Sequence, residues 1–184
     1  VGQVLLTSDC LRDRRRYVAA RGVLRELLQA GVIPIVNEND TVSVDEIMVG
    51  DNDNLAAMTA SLVDADLLAL LTDVPGVYDR DPDVDSGAQI VSSASSAQEL
   101  RALCFGKKQV VSTGGMETKL EAAERAGRYG VPTVIAAGND PIVLETLLLG
   151  GDAGTRIEAH AEPLRARRHW MAVQKGLTGW LVID

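Results

Sequence analysis

Two polar clusters and one segment of glycines and lysine hold the residues of this chain whose types and spacing suit chemistry. "NEND" (37–40) leaves a short apolar run directly, and "GDNDN" (50–54) precedes an apolar helical pattern. Two amides and two carboxylates at the end of a buried strand must each find a hydrogen-bonding partner. An amino acid supplies such partners: its ammonium donates to carboxylate and amide oxygens, and its carboxylates accept from amide and backbone N–H groups. A well-satisfied surface loop uses the same residues, and for "GDNDN" so does a solvated turn that ends in a helix cap, with Asp53 placed to cap. "STGGMETKLEAA" (112–123) sets two glycines where a loop turns into a helix and Lys119 in the first turns of that helix. Free N–H groups and the dipole at such a terminus suit phosphate, and the lysine adds a point charge. For the glycines alone a plain turn is the simpler reading.

Other chemistries fit less well. The pattern G-x-x-x-x-G-K-[ST] does not occur, and "DRDPDVDSG", started from either Asp79 or Asp81, does not put glycine at a sixth position and glutamate at a twelfth, as a calcium loop requires. His160 and His169 have no ligand-spaced neighbours and read as structural or surface residues. No serine, histidine and aspartate set suggests a hydrolytic triad.

The elements that must position these residues alternate along the chain. "VGQVLLT" (1–7) reads as a strand. A helix follows in "LRDRRRYVAARGVLRELLQAG" (11–31), with Tyr17, Ala20, Leu24, Leu27 and Leu28 on one face and Gly31 as its end. "VIPIV" (32–36) is a short strand, residues 37–53 a polar loop, "DNLAAMTASLVDA" (53–65) a helix and "LLALLT" (67–72) a strand. A turn-rich stretch leads to a predicted strand at Ile90 and Val91 and a helix near 97–104. "METKLEAAERAGRYG" (116–130), "VPTVIAAG" (131–138) and "PIVLETLLLG" (141–150) then read as helix, strand and helix. Near-continuous apolar strands alternating with amphipathic helices predict an α/β protein whose parallel sheet is covered on both faces. Ligands of such sheets sit beyond the carboxyl ends of the strands, which points to the loops after Val36, Leu71 and Ile135. From Gly154 the pattern changes to a basic knot at Arg165, Arg167 and Arg168 and a strand-like ending, either a hairpin on the core or a linker into another domain.

At 184 residues and 46% hydrophobic composition the chain can bury one sizeable core. A net charge of -8 argues against a nucleic-acid surface as its main business, and the three arginines read as a solvated basic patch. Cys10 and Cys104 are far apart and in no C-x-x-C arrangement, so they read as reduced thiols and point to the cytoplasm. No apolar run approaches the roughly 20 residues that span a bilayer. The chain opens on a strand without a start methionine, and we expect it to be a piece of a longer protein.

Taken in order and spacing, "PIVNEND", "GDNDN", "LLTDVPGVYDRDP" and "TGGMETKLEAA" resemble the amino acid kinase family, and within it the glutamate 5-kinase branch, over roughly residues 1–160. The resemblance implies a three-layer α/β/α sandwich with a mainly parallel sheet, here N-terminally incomplete. Residues 1–160 would be the C-terminal part of the kinase domain, and 161–184 its end and a linker toward a PUA domain. It implies transfer of the γ-phosphoryl group of ATP to the side-chain carboxylate of L-glutamate, the first step of proline synthesis, with Mg²⁺. Asp40 and Asn52 look like glutamate-binding residues, with Asn37 and Asp51 in the same shell. Asp53 looks like the family's organising aspartate, and Lys119 like the lysine that neutralises the transferring phosphoryl group. Thr72 and Asp73, and Thr113, Gly114, Gly115, Met116, Glu117, Thr118 and Lys119, look like the two segments of the nucleotide site. No protein metal site is implied. A homo-oligomer and feedback by proline, with Glu46 as a contact, are implied as well.

Such chemistry needs no general base, because a carboxylate is already a nucleophile; it needs alignment and compensation of charge. Mg²⁺ would be held largely by ATP oxygens and water. The family's opening strand-loop with lysine and glycine and its "SGA"-type loop are not visible, and "LCFGKKQVVSTGG" is shorter and more basic than the family pattern. We therefore expect these 184 residues alone to be catalytically inactive. Kinases of acetylglutamate, aspartate or UMP are the rivals within the family, and "NEND" followed by "GDNDN" argues against them. Two further candidates are the kinase half of a pyrroline-5-carboxylate synthase and a non-catalytic sensor of proline or glutamate.

Overall fold

Apolar strands of about five residues need a partner strand and a covering helix, and the chain supplies both locally. A computed structural model describes residues 1–7, 10, 13–39, 52–105 and 115–160, the side chains of 103–105 excepted. They fall into two compact units, one within residues 1–39 and the other within 52–160.

In the first unit β1 (Gly2–Leu6) and β2 (Pro34–Glu38) pair in parallel, from Gly2 opposite Pro34 to Leu6 opposite Glu38, and α1 (Arg14–Gln29) makes the crossover. The side chain of Asp13 caps α1 by accepting from the Arg16 N–H at 2.9 Å. Leu24 is fully buried, whereas Leu28 is 47% exposed, so the buried face of α1 is narrower than its apolar pattern predicts. β2 lies two residues later than the predicted strand. Asn37 and Glu38 continue the ladder opposite Leu5 and Leu6 instead of leaving it, because β1 presents backbone partners that far.

The second unit is built on a sheet of order β3 (Leu68–Thr72), β5 (Thr133–Ala137), β6 (Thr155–Ile157) and β4 (Ser93–Ala94). The β3–β5 and β4–β6 pairs are parallel and β5–β6 is antiparallel. The helices are α2 (Asn52–Val63), α3 (Ala97–Phe105), α4 (Gly115–Arg128) and α5 (Val143–Leu148). Ile135 joins Leu70, Leu100, Leu120 and Ile157 in the main core, while its neighbours Val134 and Ala136 pack with Val143 in a second cluster. Alternate side chains of β5 thus enter two cores, and the sheet is flanked by helices on both faces, as the continuous apolar strands predict.

Two predicted features change. Ile90 makes only an isolated antiparallel bridge with Tyr78, and the strand forms at Ser93–Ala94. β6 falls where the sequence pattern turned irregular. Its Thr155 and Ile157 point inward and are buried, and the Thr155 hydroxyl is used at once: its Oγ1 accepts from the Val77 N–H at 2.8 Å. This bond pins the stretch after β3 to the sheet. Gly76 makes it possible, since a Cβ there would lie 2.9 Å from both Thr155 Oγ1 and Ile90 Cγ2.

Candidate active site

α2 and α4 share one core through small side chains, Ala57 and Ala60 on the first and Ala122, Ala123 and Ala126 on the second. Small side chains at a helix contact let the axes approach, and the first turns of the two helices come within reach of each other. Lys119 Nζ donates to Asp53 Oδ2 at 2.9 Å and to Oδ1 at 3.2 Å, and Thr118 Oγ1 donates to Oδ2 at 3.0 Å. The Lys119 and Asp53 side chains are 14% and 16% exposed, so water screens this pair less than a surface ion pair.

The placement has an electrostatic logic. Asp53 lies in the first turn of α2, where the helix dipole favours a negative charge. Lys119 lies near the N-terminus of α4, where the dipole opposes a cation, and the Asp53 carboxylate offsets that opposition. What results is an ammonium held by a carboxylate beside a helix N-terminus, an arrangement suited to anionic oxygens. Asp53 is not the cap its position suggested. α2 already starts at Asn52, and the Asp53 carboxylate bonds to α4.

At the carboxyl end of β3, Thr72 Oγ1 donates to Asp73 Oδ1 at 3.0 Å, and the Thr72 carbonyl accepts from the Gly138 N–H at 2.7 Å. The aspartates that follow bind their own loop. Arg80 donates to Asp79 at 3.0 Å and to Asp85 at 3.1 Å; Asp79 Oδ1 also accepts from the Gln89 N–H, and Asp85 Oδ1 from the Gly87 N–H. The Arg80 guanidinium first and the Gln89 N–H second hold Asp79 below the usual carboxylate range. Asp85 is lowered first by the Gly87 N–H and then by Arg80. Both groups have depressed values in the folded chain, so the stabilisation they give is complete above the unfolded carboxylate pKa and is lost as pH falls through the depressed values. We expect the Gln89 and Gly87 amide resonances to titrate at a lower pH than those of an unpaired aspartate. Titration of both at the ordinary value would refute the pairing.

The predicted site residues are distributed as follows. Asp53, Thr118 and Lys119 come together, and Thr72 and Asp73 bond to each other. Asn37 lies on β2 in the first unit, and Asn52 is the exposed first residue of α2 in the second. Gly115 begins α4, Met116 packs against the core, and Glu117 accepts from Arg101 Nε at 2.9 Å. Asp40, Glu46, Asp51, Thr113, Gly114 and the arginines 165, 167 and 168 lie outside the described residues. His160 bonds through its backbone N–H to the Gly127 carbonyl, and its side-chain Nε2 lies 3.4 Å from Glu124. The sequence reading missed Asn54, although it is part of "GDNDN": its Oδ1 is buried without a hydrogen-bond partner among the described residues. It missed Arg80 and Thr155 as well, for which no sequence signal existed. No helix among the described residues is long and apolar enough to cross a membrane.

Comparison with known proteins adds the following. The pattern described as "Amino acid kinase family" matches residues 1–137. The chain is 46% identical over 185 residues to the glutamate 5-kinase of Syntrophotalea carbinolica, a match covering 100% of this chain and 50% of that protein. With the glutamate 5-kinase of Thioalkalivibrio sulfidiphilus it is 49% identical over 186 residues, covering 99% and 49%. The chain therefore spans about half the length of these relatives. Among solved structures, the UMP kinase of Bacillus anthracis superposes with a TM-score of 0.57 at 16% identity, covering 87% of this chain and 59% of that one, a likeness of fold.

Proposed function

The chain belongs to the amino acid kinase family, and on that premise we propose that it serves the ATP-dependent phosphorylation of the side-chain carboxylate of L-glutamate. The observation that carries the reading is the Asp53–Lys119 pair at 2.9 Å beside the N-terminus of α4. The identity of 46 to 49% with glutamate 5-kinases supports the choice of substrate.

In this reading Asp40, Asn52, Asn37 and Asp51 hold glutamate, whose ammonium and carboxylates match their acceptors and donors. Thr72 and Asp73 and the segment 113–119 face the nucleotide. Lys119 turns from Asp53 to a phosphoryl oxygen as charge develops there, and Asp53 fixes where the ammonium rests in between. Among the described residues no group of three acidic, histidine or cysteine side chains gathers to hold a metal by itself. Mg²⁺ would arrive on the nucleotide phosphates and supply further charge neutralisation there. The carboxylate attacks without deprotonation, so the protein's share of the work is alignment and electrostatics.

The test is hydroxylamine trapping of the acyl phosphate from Mg-ATP and L-glutamate, with the complete reading frame that encodes these residues. A hydroxamate that depends on both substrates is the expected product. A folded protein that binds glutamate or proline without consuming ATP would replace the kinase by a sensor. Turnover with acetylglutamate, aspartate or UMP instead of glutamate would move the substrate within the family.

A further inference from the structure

Thr118 stands beside the pair of charges and touches one of them. Its Oγ1 is 3.0 Å from Asp53 Oδ2 and also 3.0 Å from the Gly115 carbonyl oxygen. A hydroxyl has one proton to give, and a bond to a carboxylate is stronger than one to a neutral carbonyl, so the proton goes to Asp53. Lys119, the next residue, donates to both oxygens of the same carboxylate. The two donors differ in what they can do. Lys119 has a long flexible stem, whereas the threonine side chain is short, branched at Cβ and seated directly on the α4 backbone.

We propose that Thr118 is a positioning residue that keeps the Asp53 carboxylate in place while Lys119 leaves it for the transferring phosphoryl group. The proposal rests on the kinase reading given above. With Thr118 present, the carboxylate keeps a short, stiff donor from α4 whenever Lys119 swings away. Without it the carboxylate loses its stiff donor from α4, and the point from which the ammonium moves is less firmly fixed. The role assigned to Thr118 thus lies in its bond across to α2, beyond its place in the nucleotide segment.

Two variants and two readouts test this. In the complete protein, Thr118→Val keeps the shape and removes the proton, and we expect kcat to fall on the order of tenfold or more, the size of a lost hydrogen bond to a charged group. KM for ATP and glutamate should stay within about twofold, and Thr118→Ser should restore most of kcat. Unchanged kcat in Thr118→Val, a rise confined to the KM of ATP, or a Thr118→Ser variant as impaired as the valine would each overturn the proposal. The contact itself is read without activity by urea unfolding of Thr118→Val, Asp53→Ala and the double variant. A double-variant midpoint shift smaller than the sum of the single shifts supports the coupling, and additivity overturns it. Absence of turnover in the parent protein would sink the kinase reading while leaving this second readout to judge the bond.

Discussion

Lys119→Ala is expected to reduce acyl phosphate formation by about 10²- to 10³-fold, the usual cost of removing one preorganised group that meets developing charge. On the proposed kinase reading the loss should fall on kcat, because the ammonium rests on Asp53 and would gain its phosphoryl contact as charge moves. Hydroxylamine trapping at saturating ATP and glutamate measures it directly. The substitution also leaves the Asp53 carboxylate with fewer donors in a largely buried setting, so the variant's thermal midpoint must be followed in parallel. If alanine unfolds the protein, Lys119→Met retains the apolar stem and removes the charge alone. A folded Lys119 variant with parental turnover would remove the lysine from the reaction.

Gly154→Ala is the second large effect, and it acts on stability. Gly154 has φ +65, a region costly for a side chain. A Cβ there would collide with the Ile135 carbonyl oxygen and lie 2.8 Å from Ala136 Cα. Left-handed strain and overpacking each cost about 1 to 3 kcal/mol, and together they should lower the melting temperature by about 10 °C for a chain of this size. Gly150 is the control. Its φ is +77, but nothing lies within 4 Å of a Cβ, so Gly150→Ala should show the strain alone. Equal losses in the two variants would mean that the clash against β5 relaxes freely. Because β6 begins at the next residue and its Thr155 holds Val77, the Gly154 variant should also loosen the stretch after β3.

The parts of the fold that the sequence made legible are those where one signal dominates. β3 and β5 are unbroken apolar runs, and α4 has its apolar residues on one face with glycines at its start. β6 was not legible because a three-residue strand offers two inward positions, and one of them is a threonine whose value lies in its hydroxyl. Leu28 misled because the periodicity of a helix cannot say how wide a surface a two-stranded sheet will cover. For the site, Asp53 and Lys119 were named through family resemblance. That they would meet was beyond any local pattern, since 66 residues separate them. Thr118 was placed in the nucleotide segment by its neighbours, and only the packing of α2 on α4 reveals that its hydroxyl faces Asp53.

The bond from Val77 to Thr155 joins residues 78 apart in sequence, and this separation imposes an order on biosynthesis. A chain emerges from the ribosome amino end first, at about 5 to 20 residues per second. Lys119 can therefore reach Asp53 well before Thr155 exists to receive the Val77 N–H. During that interval of several seconds the stretch after β3 lacks its bond to Thr155, and the inner edge of β5 awaits β6. The Asp53–Lys119 pair is thus available early in translation, and the stretch around Val77 is fastened last, so a pause or a truncation before residue 155 would leave an unpaired strand edge open to other nascent chains.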